Sequence, residues 1–321
     1  MRVVWVSFAP LRKTPAGLAS DLASIRYRLL LPAQALGESR VTHIGQGANR
    51  RTLLERFAGA DAAVFGKILE PALAPVALEL AAALKEKGVK VIVDFCDDHF
   101  DHVQLGPVYR AMANSADAVV CSTDALAEAA RAHIVADVKV VGDPVEGVRR
   151  EPRAVRRAPA RLLWFGHPVN LDTLQHGVPQ LIARSIPFEL TLVTAPRAGA
   201  EAMGHRFRAW SSEAVFDELD KCDAAIIPSN PYDPRKAVKS ANRFTEALWA
   251  GRFVIAHPLP AYEPLAAFGW VGEDLGEGLE WLLGHPDEAL ARIRAGQEWA
   301  SRNVSREAIG AAWKAAIGGV P

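Results

Sequence analysis

No run of about eighteen apolar residues occurs in this chain, which argues against a membrane-spanning helix. Excess charge of one sign is absent as well: 37 Lys and Arg stand against 37 Asp and Glu. The field of the whole molecule is therefore weak, which argues against a general nucleic-acid or membrane-surface binder, and any anion site must come from a local pattern. Cysteine is scarce. Cys96, Cys121 and Cys222 are odd in number and lack metal-type spacing, so they read as reduced core thiols rather than a disulfide framework or zinc cluster. The opening "MRVVWVSFAP" turns polar after one strand's length, too short for a secretory signal. A cytoplasmic protein is expected. Neither GxxxxGK[ST] nor GxGxxG is present, so a P-loop and an ordinary dinucleotide fingerprint are both excluded. No internal sequence repeat is found.

What is present is alternation. The 321 residues are long for one compact domain and comfortable for two, and half of them are hydrophobic. From the start, "VVWVS", "VTHIG", "AAVFG", "KVIVDF", "AVVCS" and "VKVVGD" alternate with helical patterns, among them one through "SIRYRLLLPAQAL" and an Ala/Leu-rich one near 71–87. Strands that are apolar throughout and separated by helices imply a parallel sheet covered on both faces. The Arg/Pro/Ala-rich stretch "PVEGVRREPRAVRRAPA" then carries neither period and reads as a connector. Alternation resumes with "RLLWFG", "FELTLVTA", "DAAIIPS" and "FVIAHP". The expected fold is α/β: two Rossmann-like βαβ domains facing across a cleft, over 1–145 and 161–321, joined by a linker at 146–160. The terminal "SREAIGAAWKAAI" is an amphipathic helix expected to pack on its own chain, with the C-terminal helices returning toward the N-terminal domain.

Between "AAIIP" and "FVIA" lies "KSANRFTEALWAG", residues 239–251. Ser240 is a candidate N-cap and Gly251 a candidate C′ residue, with no Gly or Pro between them. Offsets of 0, 3, 4 and 7 place Lys239, Asn242, Arg243 and Glu246 on one face. Arg235, Lys236, Lys239 and Arg243 crowd the N-terminal end, where the helix dipole by itself favours an anion and repels cations. A diphosphate reconciles the two. Glu246 lies roughly 9 Å further along the axis at about 1.5 Å per residue, within reach of ribose hydroxyls. A plain surface helix carrying one Arg–Glu pair is the alternative.

"KSANRFTEALWAGRFVIAHPLPAYEPL" resembles the nucleotide-sugar site of two-Rossmann (GT-B type) glycosyltransferases, in particular the retaining family-4-like enzymes. "LLWFGHPVNLDTL", "ADAVVCSTDALAE" and "VKVVGDPVEG" are similar to other parts of that fold. The resemblance is strong over 223–264 and weak elsewhere. It implies a nucleotide-diphosphate sugar donor on the C-terminal domain, its diphosphate held by the basic residues and its ribose by Glu246. It also implies an acceptor on the N-terminal domain. Eight residues before Glu246, where many members carry Glu, this chain has Val238.

Other groups complete the candidate site. "VDFCDDHFDH" sets Asp94, Asp97, Asp98 and His99 just after a strand, as candidates for the base that deprotonates an acceptor hydroxyl. Asp94 closes the strand and is the most structural of the three acids. Metal ligation by Asp97, Asp98, His99 and His102, or a solvated acidic loop, are the alternatives. Gly166 can admit a ligand close to the backbone, and Asn170 can cap the next helix. Ser7, Arg26 and Arg28 are acceptor-side candidates, with salt-bridged helix surface the alternative for the arginines. The resulting expectation is a glycosyltransferase using a UDP- or GDP-type sugar, needing no metal or further cofactor. Its acceptor would be a glycan, a lipid-linked molecule or a protein. A nucleotide-sugar 2-epimerase and a non-catalytic nucleotide-binding protein are the competing readings.

Overall fold

A computed structural model describes residues 1–15, 17–47, 50–153, 155, 159–195, 205–230 and 232–319, residues 50 and 51 by backbone only. Residues 154 and 156–158 of the expected linker lie outside the described residues. The chain forms two compact units. One comprises Met1–Pro144, Val238–Ser240 and Val304–Pro321, the other Val145–Ala237 and Ala241–Asn303.

The first unit contains β1 (Val3–Ser7), a hairpin of β2 (Arg12–Thr14) and β3 (Gly17–Ala19), then β4 (Ser39–His43), β5 (Ala62–Phe65), β6 (Lys90–Phe95), β7 (Ala118–Cys121) and β8 (Val138–Val140). Apart from the antiparallel hairpin, these strands form one parallel sheet in the order β4-β1-β5-β6-β7-β8. Both faces of the central strands are covered, as their mostly apolar residues require. Val4, Val6, Phe65, Val91 and Val93 join one apolar cluster. Val3, Trp5, Val64 and Ile92 join the opposite one, following the two-residue period of a strand. That second face is closed by the helix Arg306–Gly318, whose Trp313 meets Trp5 edge-on with centroids 4.9 Å apart.

The continuous helix expected through "SIRYRLLLPAQAL" is interrupted by a π-helical turn, Arg26–Leu30, between Ala23–Ile25 and Leu31–Leu36. Such widened turns occur mostly as isolated irregularities, frequently near functional groups. Arg28 lies in this one and is 1% exposed.

In the second unit β9 (Ala160–Phe165), β10 (Phe188–Thr194), β11 (Arg206–Ala209), β12 (Ala224–Ile227), β13 (Phe253–Ala256) and β14 (Trp270–Val271) form a parallel sheet in the order β11-β10-β9-β12-β13-β14. Leu162, Trp164 and Ile255 face one cluster, and Leu163, Phe165 and Val254 the other. The expected architecture of two Rossmann-like parallel sheets is thus present. Strand order reverses beside β1 and β5 in the first unit and beside β9 and β12 in the second, the places where doubly wound sheets bind ligands at their carboxyl edges. Among the described residues no helix is long and apolar enough to cross a membrane.

Trp5 and Trp313 are both fully buried, so Trp313→Ala should destabilise the first unit by about 3–5 kcal/mol through lost burial and an unfilled cavity. Urea unfolding followed by circular dichroism measures this; an unchanged midpoint would show that the terminal helix contributes no core.

Candidate functional site

At the carboxyl edge of the first unit the sequence-selected groups divide into two ionic clusters. In the inner one, Arg28 reaches Asp94 from Nη2 at 2.6 Å and from Nε at 3.1 Å. Its Nη1 donates to Val141 O at 2.6 Å, Gly142 O at 3.0 Å and Asp143 Oδ1 at 3.0 Å. Asp143 in turn accepts from Ser240 Oγ at 2.5 Å. A buried guanidinium with this many acceptors is a structural cross-link joining the π turn, β6 and the chain after β8.

Two acceptor-side expectations are corrected here. Arg28 is enclosed and fully engaged. Ser7 is fully buried, its hydroxyl donating to Ala9 O at 2.6 Å and accepting from Ala9 N at 3.2 Å, a turn-forming role at the end of β1. Arg26 is half-buried and donates to Asp21 O at 2.8 Å. Asp94 is 1% exposed and belongs to the Arg28 cross-link rather than to a reacting centre.

In the outer cluster, Asp97 accepts from Lys67 Nζ on one oxygen and from Lys239 Nζ on the other. Burial works to raise its pKa, but the two ammonium groups outweigh it and hold the carboxyl below its ordinary value. A carboxylate so stabilised is a weak proton acceptor. Asp98 is half-buried and uses Oδ1 to accept Phe100 N at 3.1 Å. His99 stands edge-on to Tyr109, centroids 5.3 Å apart, with Nε2 buried and lacking a hydrogen-bond partner among the described residues. Burial, aided by the Lys67 charge, lowers the His99 pKa, so the imidazole is neutral near pH 7. Among the described residues no group of three or more His, Cys, Asp or Glu is arranged to hold a metal ion.

Residues 238–240 belong to the first unit and are fastened there. Thr123 Oγ1 donates to Val238 O at 2.9 Å, Lys239 pairs with Asp97 and Ser240 with Asp143. Val238 is 6% exposed and sits in an apolar cluster, so a carboxylate at that position would be buried among hydrocarbon.

Ser240 therefore does not cap the next helix, another correction. The helix runs Asn242–Trp249 in the second unit, and its N-cap is Ala241, which provides no side-chain acceptor. The first intrahelical bond is Thr245 N to Ala241 O at 3.0 Å, leaving the N–H groups of the opening turn for another partner. Arg243 Nη1 is buried without a hydrogen-bond partner among the described residues. A Cβ added to Gly166, which follows β9 where the sheet order reverses, would stand 3.5 Å from that nitrogen.

Asn170 does not cap the helix after β9; His167 Nδ1 accepts Val169 N at 3.2 Å, while Asn170 Oδ1 accepts from Lys236 Nζ. Arg235 is exposed and pairs with Asp233 at 2.9 Å. Glu246 departs most from expectation. It is 2% exposed, and its two oxygens accept the backbone N–H groups of Glu146 and Gly147, so ribose hydroxyls would have to share this carboxylate.

No protein-family model matches the chain, and no curated protein does. Solved structures do match. HepE of Anabaena, in complex with UDP and glucose, is 12% identical with a TM-score of 0.70, covering 99% of this chain and 100% of that one. A glycosyltransferase from Rickettsia africae is 11% identical with a TM-score of 0.69, covering 99% and 98%. The lipopolysaccharide outer core galactosyltransferase WaaB is 12% identical with a TM-score of 0.60, covering 99% of each chain. At such identities the likeness establishes the fold, that of two-Rossmann GT-B structures.

Arg28→Met would leave Asp94 and Asp143 facing each other without a counter-charge, and should cost about 3–5 kcal/mol of stability, as breaking a buried ion pair does. Thermal unfolding read beside UDP binding at a temperature where the variant is folded separates the roles; lost binding with an unchanged melting temperature would restore Arg28 as a ligand group.

Proposed function

We propose that this protein is a nucleotide-diphosphate-sugar glycosyltransferase of the family-4-like kind. The observation that carries the reading is Arg243, half-buried, whose Nη1 is buried near Gly166 without a hydrogen-bond partner among the described residues, at the uncapped start of a helix. Free N–H groups, a helix dipole and a guanidinium nitrogen without a partner all call for an anion. UDP and UDP-glucose bound to HepE, whose fold matches over 99% of this chain, name the class.

The second unit then holds the donor. Arg243 and the first-turn amides receive the diphosphate, and Lys236, steadied by Asn170, adds positive charge. These groups act as charge grows on the leaving diphosphate, so transfer requires no metal in this scheme. The first unit supplies the acceptor side. Asp98 is the proposed base: Asp94 and Asp97 are committed to cations, and Asp98 spends Oδ1 on its own loop. Its second oxygen is left for an acceptor hydroxyl. UDP- or GDP-type donors, and a glycan, lipid-linked or protein acceptor, complete the proposal.

Incubation with a panel of UDP- and GDP-sugars and extract-derived acceptors should give transfer. Donors left intact at saturation, with neither hydrolysis nor transfer, would refute the assignment. Asp98→Asn should lower transfer by roughly the 10²–10⁴-fold of a lost acid–base group while UDP affinity and melting temperature hold. Full activity in that variant would move the role to His99, and the pH profile would show it as an acidic limb below the ordinary histidine value of about 6.5.

A further inference from the structure

After β13 the chain of the second unit carries one polar tip on an apolar stripe. Pro260–Phe268 forms a 3₁₀-helix, in which residues three apart stand on the same side. Leu259, Tyr262 and Leu265 repeat at that spacing, are all buried, and join the apolar cluster that includes Phe244 and Leu248. The Tyr262 ring meets that of Phe244 with centroids 5.4 Å apart. A phenylalanine would fill this place as well, and a hydroxyl carried into an apolar cluster costs free energy unless it finds a partner.

The partner is Arg243, whose guanidinium donates to the Tyr262 hydroxyl oxygen. Burial raises the Tyr262 pKa against the pull of that charge, so the phenol stays neutral. A neutral partner differs from a carboxylate in what it leaves behind. Arg235 pairs with Asp233, and Arg28 with Asp94 and Asp143, so those charges are offset in place, whereas Arg243 makes no ion pair among the described residues. Glu246, one turn on in the same helix, gives its oxygens to the amides of Glu146 and Gly147, and Glu263, next to Tyr262 in the chain, is exposed. The phenol thus steadies the guanidinium without offsetting its charge.

We infer that Tyr262 is a positioning residue for the anion site: its hydroxyl fixes the Arg243 guanidinium ahead of the ligand and leaves Nη1 for a phosphate oxygen. The inference rests on the donor reading above and adds to it a residue from another element; Tyr262, Arg243 and Gly166 all belong to the second unit. An arginine side chain loses considerable rotamer freedom when it is ordered, and ordering it before the ligand arrives removes that cost from binding. Because Tyr262 acts through Arg243, its hydroxyl matters to ligands that carry phosphate and not to the nucleoside alone.

The test is calorimetry of UDP, inorganic pyrophosphate and uridine with wild type, Tyr262→Phe, Arg243→Ala and the double variant. Tyr262→Phe keeps the ring against Phe244, so its melting temperature should hold. It should weaken UDP and pyrophosphate by about three- to tenfold, the scale of one hydrogen bond, and leave uridine unchanged. In the Arg243→Ala background the same change should have no further effect, since a residue that acts through another loses its influence with it. Wild-type affinity in Tyr262→Phe, beside weakened binding in Arg243→Ala, leaves the donor site standing and overturns this inference. Equal weakening of all three ligands, the mark of a disturbed fold, or an additive loss in the double variant, the mark of independent action, overturns it too. Wild type that binds neither UDP nor pyrophosphate overturns both readings.

Discussion

A strand buried on both faces has no room for chemistry along its length. Strands such as β1, β5, β12 and β13 are buried along their length, with apolar clusters on both faces, so polar function is forced to the loops at the carboxyl ends. Lys67, Asp97 and Asp98 follow β5 and β6, and Gly166 follows β9. The candidate chemistry is distributed by this constraint, and the loops differ in what they do with it. Some loop charges are spent on holding the fold, and others belong to the proposed site.

The Arg28 cluster shows the first use. A guanidinium carried inward on a π turn binds Asp94, Asp143 and two carbonyls, and Asp143 passes the connection on to Ser240. The segment ahead of the Asn242–Trp249 helix is thereby fixed to the first unit, with Thr123 and Asp97 adding two more ties. The helix itself belongs to the second unit. A stretch that reads as one capped helix in the sequence is split between two units within three residues, and the residue chosen as its cap serves the other unit.

The fold was legible because its signal is collective. Runs such as "VVWVS" and "KVIVDF" are mostly apolar on both faces of the strand, and their alternation with helical patterns leaves few architectures. The hairpin β2–β3 and strand β11 leave no signal in the sequence, since "RKT" and "RFRA" bury little side chain and carry no apolar run. The cations over 235–243 stand out in the sequence because an expected helix start there conflicts with the helix dipole; of them only Arg243 lies in Asn242–Trp249, while Arg235 pairs with Asp233 and Lys239 with Asp97. Ser7, at the end of β1, and Arg28, in the π turn, are ambiguous in sequence because a polar residue looks the same there whether it faces a ligand or an internal partner. Arg28 finds its partners 66 and 115 residues away.

The central claim is that the uncapped helix start beside Gly166 takes the donor's diphosphate. A crystal structure with UDP bound tests it most directly. The account predicts phosphate oxygens within hydrogen-bonding distance of Arg243 Nη1 and of the first-turn amides of Asn242–Trp249. A nucleotide bound with its phosphates away from Gly166, and Arg243 Nη1 still unpartnered, would contradict it.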